Sequence, residues 1–453
     1  MQIHHDVIAP VILGTTTILF FAVLGRFAAR RLGQPSVLGE LLMGVLISTL
    51  GYWLSIDFIE VLREGTAVFD IIGLLLNGEN IQQAAGHVDV QSAYAVHLVE
   101  ILTGPHGEDY LKVAQTVDIF SRYGVIFMLF LVGLETSLGD LKRVGKESLL
   151  VALIGVFAPF TLGLLLTALF LEGVSIEADL FIAATLVATS VGITVRVLQD
   201  LNKQNTSGAR VILGAAIIDD VLGLILLAIV SGIVVSGEFE IAHMFQIIGL
   251  SLLFFLVAFY LGPKFLNFVI WLVRHLDLVE AKMFISFLFV MMLAWLANLI
   301  GLATIIGAFT AGVILHDGYF RHWGEKDAQQ IRIKDLIAPL ETILVPIFFV
   351  LMGIQVKLEM FLDINVLMTA LLLIAIAVVG KLVSGLGAAK KCNRLAVGIG
   401  MMPRGEVGLI FASLGKSLGV ISDSLFSSIV IMVVFTTLIT PPLLKLVIRR
   451  ECD

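Results

Sequence analysis

Charge is scarce in this 453-residue chain: Asp, Glu, Lys and Arg make up 14% of it, where soluble domains carry about 25%. With 58% hydrophobic residues and apolar runs of about 20 residues recurring along it, the chain falls outside the soluble classes and reads as a polytopic membrane protein. Cysteine is nearly absent. Cys392 and Cys452 stand alone, both near basic segments, so neither a disulfide framework nor a cysteine metal cluster is supported. The start, "MQIHHDVIAP", lacks the basic segment that precedes the apolar core of a cleaved signal, and its first apolar run reads as a retained helix. There is no "GxxxxGK[ST]" phosphate loop, since "SLGKSLG" lacks the earlier glycine; ATP-driven work is not expected. Nothing resembles a nucleic-acid surface. No histidine, partnered serine nucleophile or metal-ligand spacing lies inside an apolar run, so neither an enzyme nor a bound cofactor is expected.

What is present is a series of about 13 apolar segments, each of the ~17–25 residues that a membrane-spanning helix needs. They centre near Phe20, Val45, Met128, Gly163, Ala188, Leu222, Phe255, Val290, Phe309, Val345, Ile376, Val407 and Val434. Alternate connections differ in charge. Segments such as "RRLGQP", "LKRVGK", "DGYFRHWGEKDAQQIRIK" and "KKCNR" fall on one side, with about 21 Lys and Arg against about 5 on the other, which predicts an outside N-terminus and a cytoplasmic C-terminus in a cell membrane. One long connection, about residues 55–116, lies on the outer face and holds "AVFDIIGLLL", too short to span and read as an interfacial or re-entrant insertion. A short tail, 449–453, ends the chain on the inner side.

Few charges then remain deep in spans: Asp219, Asp220, Lys381, Arg404 and Glu406, followed by Glu40, Glu135, Lys264 and Glu341, whose depth the span boundaries fix less closely. Intramembrane ionisable groups face a partner or a watery cavity, which makes each a candidate functional residue. Asp219 and Asp220, in "GAAIIDDVLGLILLAIV", point about 100° apart on a helix and so serve different partners. Lys381, in "AIAVVGKLVSGLGA", is too far from the basic loop at Lys390 to snorkel easily. Pairing it with Asp219 neutralises both and leaves Asp220 for an ion. The alternative is that all three only hold helices together.

Two stretches read as broken helices. "MMPRGEVGLIFA" holds Pro403, which removes a backbone donor, and Gly405, which loosens the helix. "IAATLVATSVGITVRVL" gathers Thr189, Ser190, Gly192 and Thr194, although Ser and Thr also serve ordinary helix packing. Each stretch is the middle of a trio of spans, roughly 148–237 and 365–448, and an odd offset runs the trios in opposite orientations. Discontinuous helices at matching places in two trios are the signature of inverted repeats in secondary transporters.

The blocks "QPSVLGELLMGVLIS", "GVIFMLFLVGLE", "ATSVGITVRVL", "GAAIIDDVLGLI", "IIGAFTAGVIL", "PIFFVLMGIQV", "VGKLVSGLGA" and "PRGEVGLIFASLG" resemble, in order, those of the monovalent cation:proton antiporter superfamily, in the sodium/proton branch with paired aspartates. The resemblance covers nearly the whole chain apart from the outer insertion. It implies an all-α fold with inverted repeats and two broken crossing helices. Residues 148–237 and 365–448 would form a mobile core, residues 1–147 and 238–364 panel and linker helices of a homodimer, and transport would run by an elevator motion. By the same resemblance Asp220 is the carboxylate that takes the cation or the proton, Thr189 and Ser190 are polar ligands beside it, Asp219 and Lys381 form a salt bridge, and Arg404 and Glu406 form a stabilising pair. The expected activity is exchange of Na+, or Li+, for H+, made electrogenic by Lys381. K+/H+ exchange or a potassium efflux pathway is the alternative, since cavity size and ligand number are not legible in the sequence. The potassium-efflux relatives differ in carrying a nucleotide-binding domain and another residue first in the acidic pair.

Overall fold

The computed structural model describes residues 8–65, 92–135, 145–171, 174–190, 206–236, 241–273, 277–320, 331–389 and 392–449, and between them positions 68, 71, 74, 194, 197, 198 and 203. Among these residues the secondary structure is helical, without strands. In chain order the helices are α1 (Ala9–Arg31), α2 (Ser36–Trp53), α3 (Asp57–Arg63), α4 (Ser92–Thr103), α5 (Gly107–Glu135), α6 (Lys146–Phe170), α7 (Ile176–Thr185) and α8 (Ser207–Ser236). They continue as α9 (Ile241–Leu272), α10 (Leu278–Leu299), α11 (Thr304–Ile314), α12 (Ile333–Ile354), α13 (Ile364–Ser384), α14 (Arg394–Gly400), α15 (Glu406–Ser417) and α16 (Asp423–Arg449). Ten of them are long and apolar enough to cross a membrane.

The three other expected spans differ in form. Ala188 lies beyond the end of α7, Phe309 sits on the 11-residue α11, and Val407 opens α15 after a gap from α14. Two of these are the expected breaks. The third, α11, is a short helix whose eleven residues include ten that are buried, so protein rather than lipid surrounds it. Most of "AVFDIIGLLL" lies outside the described residues; α3 and α4 flank it.

The chain divides into two compact units. The first comprises Met1–Gly124, Thr342–Leu367 and Ser422–Ser427. In it α1 and α2 cross backbone to backbone, since a Cβ on Gly25 would stand 2.3 Å from the Gly39 carbonyl oxygen. Such contact needs small residues, as membrane helices gain from close packing rather than from burial alone. Beside that crossing, Arg26 Nε meets Glu40 Oε1 at 2.7 Å, which accounts for Glu40 in an apolar helix.

The same unit holds a charged network where the connections after α2, after α12 and before α16 meet. Lys357 Nζ lies 3.0 Å from Glu64 Oε2 and 2.8 Å from Asp423 Oδ2. Arg63, buried, pairs with Glu359, donates from Nε to Ser48 Oγ at 3.0 Å and covers the Tyr52 ring at 4.4 Å. Connections can meet at one end only if an even number of crossings separates them, which the thirteen-span count gives.

The second unit comprises Val125–Glu341, Met368–Ile421 and Ser428–Asp453 and contains nearly all of both trios. Helix α6 packs on α7 and α8, α7 on α15, and α8 on α14. Where α13 passes α6 the approach is close: a Cβ on Gly380 would stand 2.7 Å from Pro159. Cys392 is packed in an apolar cluster with Val151, Ile212, Ala215, Val397 and Met401. Glu135 pairs with Lys334, and the Lys264 amine lies 3.9 Å from the centre of the Tyr260 ring. Two of the charges near span ends thus have local partners.

Burial disfavours the Lys357 charge, but Glu64 and Asp423 together outweigh it and hold the ammonium above its ordinary pKa. A group raised on folding stabilises fully below its unfolded pKa, and the contribution is lost as pH rises through the folded value. Lys357→Met is expected to destabilise by roughly 1–2 kcal/mol, less than the ~3–5 of a fully buried pair because Asp423 is part exposed. In thermal melts the difference from the parent should be constant at neutral pH and close above about pH 10.4, the ordinary lysine value.

Candidate functional site

Helix α8 is long and uninterrupted, so the neighbours Asp219 and Asp220 are fixed on different faces of it. Asp219 is 1% exposed, while Asp220 is half-buried. Lys381, on α13 and 0% exposed, donates to both oxygens of Asp219, at 2.8 Å to Oδ1 and 3.0 Å to Oδ2. The expected Lys381–Asp219 pairing is therefore present, in bidentate form. A charge in that place needs such a partner, because an uncompensated buried ion costs several kcal/mol.

Gly155 of α6 closes the pair from above. A Cβ placed there would lie 3.4 Å from Ser384 Cβ, 3.5 Å from Lys381 Nζ and 3.8 Å from Asp219 Oδ1, room for a methyl group and little more. Sequence reasoning missed Gly155, since a glycine in an apolar run carries no charge signal.

The two broken helices meet at their breaks. Helix α7 ends at Thr185 and α14 at Gly400, and the chain restarts as α15 at Glu406. The Ser190 N–H donates to the Pro403 carbonyl at 2.8 Å. Thr189 Oγ1 donates to the Met401 carbonyl at 3.3 Å, and Thr194 Oγ1 to the Gly400 carbonyl at 2.6 Å. Gly405 is required by proximity: a Cβ on it would stand 2.7 Å from Ser190 Oγ. Gly192 lies outside the described residues.

Arg404 fastens the crossing. It is fully buried, and its guanidinium donates from Nη1 to the Ala188 carbonyl at 3.0 Å and from Nη2 to the Leu186 carbonyl. These are carbonyls that the end of α7 leaves without helical partners. Its own backbone is held by α16, through Thr436 Oγ1, which accepts from Arg404 N at 3.3 Å, and Thr437 Oγ1, which donates to the Arg404 carbonyl. The expected pairing of Arg404 with Glu406 falls on a side chain outside the described residues; the described partners of Arg404 are carbonyls. Thr436 and Thr437 were not singled out in the sequence, though adjacent threonines in "VVFTTLIT" offered a signal.

The charges form one neighbourhood. Asp219, Arg404 and Asp220 all act electrostatically on Lys381, and Asp219 acts on Arg404. Among the described side chains two acids stand with two bases there, so a cation added without the loss of a proton would raise the positive charge in a low-dielectric setting. Carboxylate, hydroxyl and carbonyl oxygens suit a hard monovalent cation or a proton, and the half-helix ends add their dipoles.

Residues 16–449 match the family described as "Sodium/hydrogen exchanger, transmembrane". The chain is 33% identical to the high-affinity Na(+)/H(+) antiporter NhaS3 of Synechocystis, over 98% of this chain and 91% of that one. It is 32% identical to the Na(+)/H(+)-K(+) antiporter GerN of Bacillus cereus, over 83% of this chain and 95% of that one. Among solved structures it is similar in fold to the sodium proton antiporter MjNhaP1 of Methanocaldococcus jannaschii, with a TM-score of 0.60, 17% identity and 97% of each chain covered.

The space over the salt bridge sets a graded test. Gly155→Ala should leave thermal stability within about 1 kcal/mol of the parent, while Gly155→Leu should cost roughly 1–3 kcal/mol by overpacking. Equal melting temperatures for the leucine and alanine variants would place Gly155 away from the pair.

Proposed function

Because the chain belongs to the sodium/hydrogen exchanger family, we propose that it exchanges Na+ for H+ across the membrane, with Asp220 as the carboxylate that carries either ion. The observation that supports this reading best is the bidentate Lys381–Asp219 pair, which satisfies the buried one of two adjacent acids and gives the half-buried Asp220 a different task. Thr189, whose hydrogen goes to the Met401 carbonyl, keeps its oxygen lone pairs for a cation. Ser190 stands next to it on the same break. A cation and a proton would then compete for the same oxygens. If the unit crosses the membrane only when loaded, exchange follows without ATP.

The finer steps of the proposal are these. The trios at 148–237 and 365–448 form the moving core and the remaining helices a panel that pairs with a second copy. The motion is elevator-like, and Li+ substitutes for Na+. Charge coupling runs through Lys381: a cation at Asp220 releases its proton, the salt bridge lets the lysine release a second one, and the exchange is electrogenic. Potassium enters as a second reading through one comparison, since a relative from B. cereus is named a Na(+)/H(+)-K(+) antiporter.

Two variants test the assignment in proteoliposomes with an imposed pH gradient and Na+, Li+ and K+ in turn. Asp220→Asn should abolish exchange of every cation while the protein still folds, and undiminished transport would sink the assignment. Lys381→Gln should retain some exchange but lose its dependence on a clamped membrane potential, worth ~2.3 kcal/mol per charge per 100 mV; an unchanged voltage response would remove the lysine from charge coupling. The cation panel in the parent decides between sodium and potassium.

A further inference from the structure

Two threonines on α16 hold a part of the crossing that the exchange scheme leaves out. Between the end of α14 at Gly400 and the start of α15 at Glu406 the chain runs through buried residues, 401–405. The N–H groups of Met401 and Met402 still bond back into α14, at 3.1 Å each to the carbonyls of Val397 and Ile399, and Pro403 has none to place. The first N–H that α14 leaves over is that of Arg404. Thr436 Oγ1 accepts it at 3.3 Å, and Thr437 Oγ1 donates to the carbonyl of the same residue. Arg404, Thr436 and Thr437 are all buried, so each backbone group would lose a hydrogen bond outright without its threonine.

The hydroxyl hydrogens divide the work. A hydroxyl has one hydrogen to give and two lone pairs to accept with. Thr436 shares its hydrogen between two carbonyls of its own helix, Met432 at 2.9 Å and Val433 at 3.1 Å, and has a lone pair left for the Arg404 N–H. Thr437 departs from the helical habit. A helical threonine commonly returns its hydrogen to the carbonyl four residues back, as Thr440 does to Thr436 at 2.7 Å, whereas Thr437 spends its own across on Arg404. Arg404 in turn joins this grip to the cation site. Its guanidinium holds the carbonyls of Leu186 and Ala188, directly before Thr189 and Ser190, and its neighbours Met401 and Pro403 accept from Thr189 Oγ1 and the Ser190 N–H. The backbone of one residue is thus fixed on α16 and its side chain on the stretch that leads into the polar pair.

We propose that Thr436 and Thr437 are positioning residues for the transported cation: by holding both backbone groups of Arg404 they fix the crossing on α16 and set where the oxygens of Thr189 and Ser190 stand, and with them the affinity for the cation and its discrimination by size. Loss of either hydroxyl leaves one backbone group of Arg404 without its partner and frees residues 401–405 to shift against α16. The oxygens around the cation are then held less closely, and selection among monovalent cations depends on the spacing and number of such oxygens. The inference rests on the exchange reading.

The test measures initial exchange rates in proteoliposomes against the concentration of Na+, Li+ and K+, with folding followed by thermal melts. Thr437→Val should raise the apparent KM for the parent's preferred cation about tenfold, the equivalent of about one hydrogen bond. It should also bring the KM values of the three cations closer together while the maximal rate is largely kept, the pattern of lost binding rather than lost turnover. Thr437→Ser, which keeps the hydroxyl, should restore the parent KM. Thr436→Val should act in the same direction, and carries the test if Thr437→Val does not fold. Thr440→Val makes the same change on the same helix at a hydroxyl bonded within α16, and should leave KM and the order of the cations unchanged. Valine variants at 436 and 437 that keep the parent KM for every cation would overturn the positioning role, whether their maximal rates fall or not, since a purely structural role lowers the rate for all cations alike. A parent that carries none of the three cations fails the exchange reading and this inference with it; a parent that exchanges while those valine variants match its KM fails this inference alone.

Discussion

Breaking two helices in the middle of a membrane leaves carbonyls and amides that neither lipid nor helix can satisfy, and the rest of the core depends on how that debt is met. Here one arginine meets much of it. The Arg404 guanidinium reaches the carbonyls of Leu186 and Ala188 from the opposite broken helix, while Thr436 and Thr437 on α16 hold its backbone. Ser190 N–H, Thr189 and Thr194 return the favour by donating to carbonyls around Gly400–Pro403. The breaks satisfy each other, and Gly405 lets them come close enough to do so. A rigid crossing assembled this way can present oxygen atoms to an ion without collapsing into helix.

That solution brings a cost in charge, and the acidic pair on α8 answers it. Arg404 introduces a buried cation, and Lys381 a second one. Asp219 acts on both and binds Lys381 directly. A single acid cannot neutralise two bases. Asp220, next along the helix and turned away by the helical step, also acts on Lys381.

Much of this was legible in the sequence, because charge in an apolar helix is conspicuous. Asp219, Lys381 and the two breaks could be placed from local features alone: a lone lysine out of snorkelling reach, a proline and glycine beside an arginine, and a run of hydroxyl residues. The partner of Arg404 was not legible. The resemblance implied a pair with Glu406, whose side chain lies outside the described residues; the described acceptors are backbone carbonyls more than two hundred residues away, and a carbonyl has no letter in a sequence. Gly155 escaped for the same reason, as did the neutralisation of Lys357 by Glu64 and Asp423. Those three charges lie in separate connections, and only the fold shows that the connections meet. Helix α11 was legible as apolar but not as short, because a buried helix and a membrane span share composition.

The salt bridge also bears on why such a site would be kept. A buried ion pair is seldom worth its desolvation, and apolar residues of the same volume often serve stability as well or better. Structural glue alone is thus a weak reason for a lysine and an aspartate with 0% side-chain exposure in a region where leucine and alanine would pack. The arrangement gains a reason if the pair exchanges partners. Asp220 lies one residue away and acts on the same lysine, so under the proposed exchange a cation or proton arriving at Asp220 would change what Lys381 feels without moving any helix. On the proposed reading, the adjacency of the two acids would let a costly neutral pair respond to the occupancy next door, which is the property an exchanger needs and a static core does not.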